Sequence, residues 1–158
     1  MKPVSLQSVV NEMDFLGDEV TAYINKKTGE LYSVSEEETG IIEHGDEDDD
    51  FIPEWQREML PKVREVLESG DFVMLPDKFE IHEYSIMERF CLSLPDEALQ
   101  NELLHAIRGS GAFRRFKAAI YRKEIQDDWY RFRNESLKRI ATDFLESEAI
   151  PWLDDVVR

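Results

Sequence analysis

Residues 109–145 read GSGAFRRFKAAIYRKEIQDDWYRFRNESLKRIATDFL, a corner marked by two glycines and then two stretches rich in aromatic rings and arginine. From Trp129 onward, Phe132, Leu137, Ile140, Ala141, Phe144 and Leu145 recur at steps that keep one helical stripe, which predicts a long helix with one buried face. Asp127 and Asp128 stand where the start of that helix favours an oxygen cap and negative charge. The stretch before it repeats the logic, with Phe113, Phe116, Ala119 and Ile120 on a core side and Arg114, Arg115 and Arg122 on the other. Arg108-Gly109-Ser110-Gly111 separates this helix from one before it, supplying a glycine for a left-handed C-terminal cap.

Outward from this stretch the chain changes character. An N-terminal helix is expected from Ser5 with Leu6, Val9, Val10 and Met13 inside, ending near Gly17. Val20, Ala22 and Ile24 then alternate with polar neighbours, and Lys27-Thr28-Gly29 leads into Leu31-Tyr32-Ser33-Val34, the pattern of a β-hairpin. Phe72-Val73-Met74-Leu75 is a candidate third strand. Trp55–Leu67 suggests a helix whose main body starts at Pro61 and stops at Gly70. Amphipathic patterns over His82–Leu92 and Pro95–Ile107 predict two more helices, and Pro151-Trp152-Leu153 a short tail packed back on the fold. The expected fold is α+β, with a small antiparallel hairpin or sheet in the N-terminal half and a helical C-terminal half. At 158 residues the chain fits a single domain.

Charge is segmental. The formal net charge is −16, yet residues 1–107 carry 8 basic and 26 acidic side chains whereas residues 108–141 carry 10 basic and 4 acidic. Residues 36–50 hold nine acids and no lysine or arginine, which reads as a solvated, mobile loop. An acidic lure for basic partners, or a cover for the chain's own arginines, is the sharper reading of that run. As a calcium loop it fails: Asp46, Asp48 and Asp50 suit ligand positions, but Phe51 stands where glycine is needed and Arg57 where glutamate is needed.

The motifs of catalysis are incomplete. His82-Glu83-Tyr84-Ser85-Ile86 opens like a zinc-protease helix and lacks the second histidine at Ile86. His44 sits in the acidic run and His105 on an amphipathic helix, and the lone Cys91 lies in the apolar run Phe90-Cys91-Leu92, so no metal-ligand set is predicted. Gly109-Ser110-Gly111 resembles the start of a dinucleotide fingerprint, but Arg114 occupies the third glycine's place and a helix precedes it. No catalytic, cofactor-binding or metal residue is therefore assigned. The candidate contact surface is basic: Arg114, Arg115, Lys117, Arg122, Arg131, Arg133 and Lys138, with Tyr121 and Tyr130 near for stacking.

Gly109, Gly111-Ala112-Phe113-Arg114-Arg115-Phe116-Lys117, Trp129-Tyr130 and Phe132-Arg133 resemble the signature of a bacterial family catalogued as an uncharacterised protein family, number 0158. The likeness extends to the hairpin from Ala22-Tyr23 to Glu30 and to Met87-Glu88-Arg89-Phe90. It implies no activity, cofactor or catalytic residue. Ser110 departs from the arginine expected there, which counts against a corner built to grip an anion. With no apolar run near the ~20 residues of a membrane span, the expectation is a cytoplasmic, non-catalytic module that binds a protein partner and no membrane. The alternatives are RNA or DNA contact through the arginine-rich helices of residues 113–139, and an enzyme of unknown type.

Overall fold

The Ser5 hydroxyl accepts a hydrogen bond from the Ser8 amide at 3.1 Å, so the first helix begins on the side-chain cap its sequence offers. The computed structural model describes residues 2–15, 19–45 and 50–155. Their elements follow the order β1 (Val4–Ser5), α1 (Leu6–Asp14), β2 (Val20–Asn25), β3 (Leu31–Ser35), α2 (Glu36–His44), α3 (Glu54–Glu68), β4 (Phe72–Met74), α4 (Lys78–Ile81), α5 (Glu83–Ser93), α6 (Glu97–Ala106), α7 (Ala112–Arg122), α8 (Gln126–Ser147) and β5 (Trp152–Leu153). This is an α+β fold. The chain divides into two compact units, Met1–Glu80 with Ile140–Arg158, and Ile81–Arg139.

In the first unit β2 lies between β3 and β4, antiparallel to both, with Tyr23 opposite Tyr32 and Ile24 opposite Leu31 on one side and Val73 on the other. Alternation decides the register, because Ala22 and Ile24 must both point into the core. The hairpin turn is built by Asn25, whose side-chain oxygen accepts from the amides of Lys27 at 2.8 Å and Thr28 at 3.1 Å, and by Gly29 at φ +79°. The Phe72 run is the expected third strand, and the C-terminal tail does pack back: β5 pairs in parallel with β1, Val4 beside Trp152 and Ser5 beside Leu153.

Two expectations fail in this unit. Residues 36–44 are helical where a loop was predicted; the rest of the acidic run, 46–49, lies outside the described residues. The cause is local. Ser35 accepts from the Glu38 amide at 3.1 Å while the Glu38 carboxylate accepts from the Ser35 amide at 3.0 Å, a reciprocal cap that places three glutamates at the partly positive end of the helix. Ile42 then anchors α2 in a core formed with Val34, Leu60, Val63, Val66 and Phe72. The second failure concerns Pro61, which lies inside α3 and does not start it. Its ring is on an exposed side of the helix, where water can satisfy the carbonyl that its missing N–H leaves open.

The second unit is helical and built around rings. Phe90 of α5, Phe116 of α7 and Trp129 and Phe132 of α8 meet edge to face, with centroids 4.8 Å apart for Phe116–Trp129, 5.4 Å for Phe90–Trp129 and 5.5 Å for Phe90–Phe132. Ile86, Met87, Cys91, Leu103 and Ile107 are buried as well. Asp96 caps α6 through the amides of Ala98 and Leu99. One ring departs from expectation: Phe113, assigned to the core by its spacing, is 47% exposed. At about 100° per residue it falls close to Ile120 on the helix circumference, but it sits in the first turn of α7, where periodicity does not tell how far a neighbouring element reaches.

Candidate basic contact surface on α7

The seven basic residues singled out by sequence separate into different roles, and the division starts at the corner between α6 and α7. Gly109 and Gly111 take φ of +71° and +79°, which turns the chain within a few residues. A helix end leaves carbonyls without intrahelical donors, and a tight corner adds more. Arg115, one turn into α7, supplies them. Its Nε donates to the Ala106 carbonyl at 2.8 Å, one terminal nitrogen to the Ser110 carbonyl at 2.5 Å, and the other to the Arg108 carbonyl. Tyr84 adds a donor from α5, its hydroxyl reaching the Ile107 carbonyl at 3.0 Å. The Arg115 charge also lies at the partly negative end of α6. This guanidinium therefore belongs to the internal structure of the corner, and a Cβ placed on Gly111 would approach its Nη1 to 3.0 Å.

Four more of the seven are matched by carboxylates. Arg122 Nη2 donates to Glu102 Oε1 at 3.3 Å, while Lys123 lies 3.2 Å from the other oxygen of the same carboxylate. The hydrogen bond from Lys123, ahead of that from Arg122, holds the Glu102 carboxyl below its usual range. Arg131 meets Asp128 at 3.3 Å within α8, in an exposed pair of small energetic weight. Arg133 donates from Nε to Glu83 Oε1 at 2.7 Å, with its side chain only 19% exposed, tying α8 to the first turn of α5. Lys138 is buried and lies 3.8 Å from Glu135.

Arg114 and Lys117 remain. Both are exposed, and neither has an ion pair or side-chain hydrogen bond among the described residues. The helix puts them on the outer side of α7 with Phe113 and Tyr121, since Phe113, Lys117 and Tyr121 follow at intervals of four and Arg114 precedes Tyr121 by seven. Phe113 is 47% and Tyr121 73% exposed. The result is a ridge of two cations and two rings facing water, on a helix whose opposite side, Ala112, Phe116, Ala119 and Ile120, is buried. Tyr130 is exposed on α8, beside the Arg131–Asp128 pair. Sequence reasoning found both cations and Tyr121 and missed Phe113.

Other features offer less chemistry. A shallow cleft between α6 and α7 is lined by Glu102, His105, Arg115 and Arg122, all but His105 already engaged in the contacts above. Among the described residues, no group of three or more His, Cys, Asp or Glu side chains is placed to hold a metal ion. No helix of the described residues is long and apolar enough to cross a membrane. Burial pushes the Cys91 thiol up to about 11, the opposite of the shift that makes a cysteine nucleophilic.

Comparison with curated proteins and with solved structures finds no significant match. A family model does match, over residues 1–155, which takes in the corner, the arginine-rich helices and the hairpin alike. The chain accordingly belongs to the uncharacterised protein family UPF0158.

Proposed function

We propose that this chain is a non-catalytic interaction module, and that the outer ridge of α7 receives an acidic segment of a partner protein. The observation that carries this reading is the pairing of Arg114 and Lys117, without internal partners among the described residues, with the exposed rings of Phe113 and Tyr121. Rings supply area to bury, and two unmatched cations select for carboxylates. A cytoplasmic setting belongs to the same reading, supported by the lone thiol of Cys91, which suits a reducing compartment.

Nucleic acid is the second reading, because rings beside cations also suit unpaired bases. Magnitude argues against it. Seven phosphate contacts on single-stranded nucleic acid would give a slope of log affinity against log salt near −5, whereas two give about −1.4. Of the other five, Arg115, Arg133 and Lys138 are held by carbonyls or carboxylates of the chain itself, and Arg122 and Arg131 would have to leave their exposed pairs with Glu102 and Asp128 to reach a phosphate.

The test is photo-crosslinking in cells with a benzophenone side chain at position 121, which replaces one ring by another. A discrete protein adduct that disappears in Arg114→Glu/Lys117→Glu is the expected result. An adduct removed by nuclease would transfer the site to nucleic acid, and an adduct indifferent to the charge reversal would end the proposal.

A further inference from the structure

The first unit presents a ridge of the opposite sign. Along α3, Gln56, Leu60, Val63 and Val66 are buried, yet Trp55 is 65% and Met59 43% exposed. These two lie one turn apart on the same side of the helix, so their side chains are neighbours on the surface. Phe51, just ahead of the helix, is 93% exposed. Nothing in the core of this unit requires the two exposed side chains, since the buried stripe is complete without them. Tryptophan and methionine are among the residues enriched in interface centres, where a large or adaptable apolar surface meets a partner.

The rim states which partner. Glu54 and Glu58 are exposed and bracket Trp55 along the helix. The nearby cations are already committed: Arg57 lies 3.9 Å from Asp50, and Lys62 is held 2.6 Å from Glu30 and 3.5 Å from Glu65. We infer that the Trp55–Met59 ridge of α3 docks a basic amphipathic helix of a partner protein, its apolar side on the two side chains and its lysines or arginines on Glu54 and Glu58. An acidic or neutral apolar partner would leave those carboxylates facing like charge or stripped of water. The inference stands apart from the α7 ridge, which has different residues and the opposite charge.

The probe is a synthetic helix with leucine on one side and lysine on the other, titrated into isotope-labelled protein while the indole N–H resonances of Trp55, Trp129 and Trp152 are followed. Saturable movement of the Trp55 signal is expected, with affinity about tenfold weaker or worse in Trp55→Ala/Met59→Ala. Glu54→Gln/Glu58→Gln should weaken binding and flatten its salt dependence. All four side chains are exposed, so the variants should keep the wild-type circular dichroism, and Arg114→Glu/Lys117→Glu should leave this binding unchanged. The inference is overturned if Trp55 does not respond, or if a leucine-to-serine probe binds equally well, which would mean charge attraction alone. It is likewise overturned if the Trp55 signal shifts with protein concentration before any probe is added, which would make a second copy the occupant.

Discussion

Arg114 and Arg115 are adjacent in sequence and should behave as opposites. Arg115 makes three charge-assisted hydrogen bonds to carbonyls of one corner, and Arg114 makes none among the described residues. Arg115→Met retains the stem and removes all three donors. Water can reach part of the corner, so each bond is taken at about 1 kcal/mol, below the range for buried charged donors, and the loss is about 2 to 3 kcal/mol. With a urea slope near 2 kcal/mol per molar, the unfolding midpoint should fall by about 1 to 1.5 M. Arg115→Lys keeps the charge without the planar fork and should recover about a third of the loss. Arg114→Met should stay within about 0.5 kcal/mol of wild type. Urea unfolding followed by circular dichroism measures all three. Equal midpoints for Arg114→Met and Arg115→Met would refute the division of roles, as would an Arg115→Met protein no less stable than wild type.

Trp129→Ala removes a buried ring in contact with both Phe90 and Phe116 and should cost about 3 to 5 kcal/mol, read as a lowered melting temperature or loss of soluble protein. Ser35→Ala takes away one half of the reciprocal cap on α2; the expected loss is about 1 kcal/mol, accompanied by faster hydrogen exchange in residues 38–44. Burial raises the folded-state pKa of Cys91 to about 11, so its thiol should resist alkylation in the native protein at pH 8. Because the unfolded thiol ionises first, the contribution of this thiol to stability should be constant below about pH 8 and fall by about 2 to 3 kcal/mol as pH rises to the folded value. Cys91→Ala should flatten that part of the profile, and an unchanged profile would show that the thiol is not what titrates.

What could be read in advance depended on how far the determinants of a feature lie along the chain. The helices from Ala112 onward and the β2–β3 hairpin follow from periodicity within a few turns or strands, and both were legible. The α2 helix was legible in principle: Ser35 with Glu38 three residues later, Ile41-Ile42 and a closing Gly45 are start, core and stop signals. Nine like charges obscured them because self-repulsion is an average property, whereas a cap acts on particular amides. The basic surface was half legible. Composition identified the arginines, but whether a guanidinium faces water or a carbonyl depends on residues as distant as Glu83 from Arg133, and no local pattern contains that pairing.

The β1–β5 pair bears on how this chain is made. The Ser5 hydroxyl donates to the Asp155 carboxylate at 2.6 Å across a separation of 150 residues, and the Val4 amide donates to the Pro151 carbonyl at 2.9 Å. On a ribosome adding about 5 to 20 residues per second, Val4 and Ser5 wait roughly 8 to 30 s for those partners to be synthesised. During that interval the backbone groups of Val4 and Ser5 that later pair with β5 lack those partners, so a chaperone that shields this segment would act before residues 151–155 emerge.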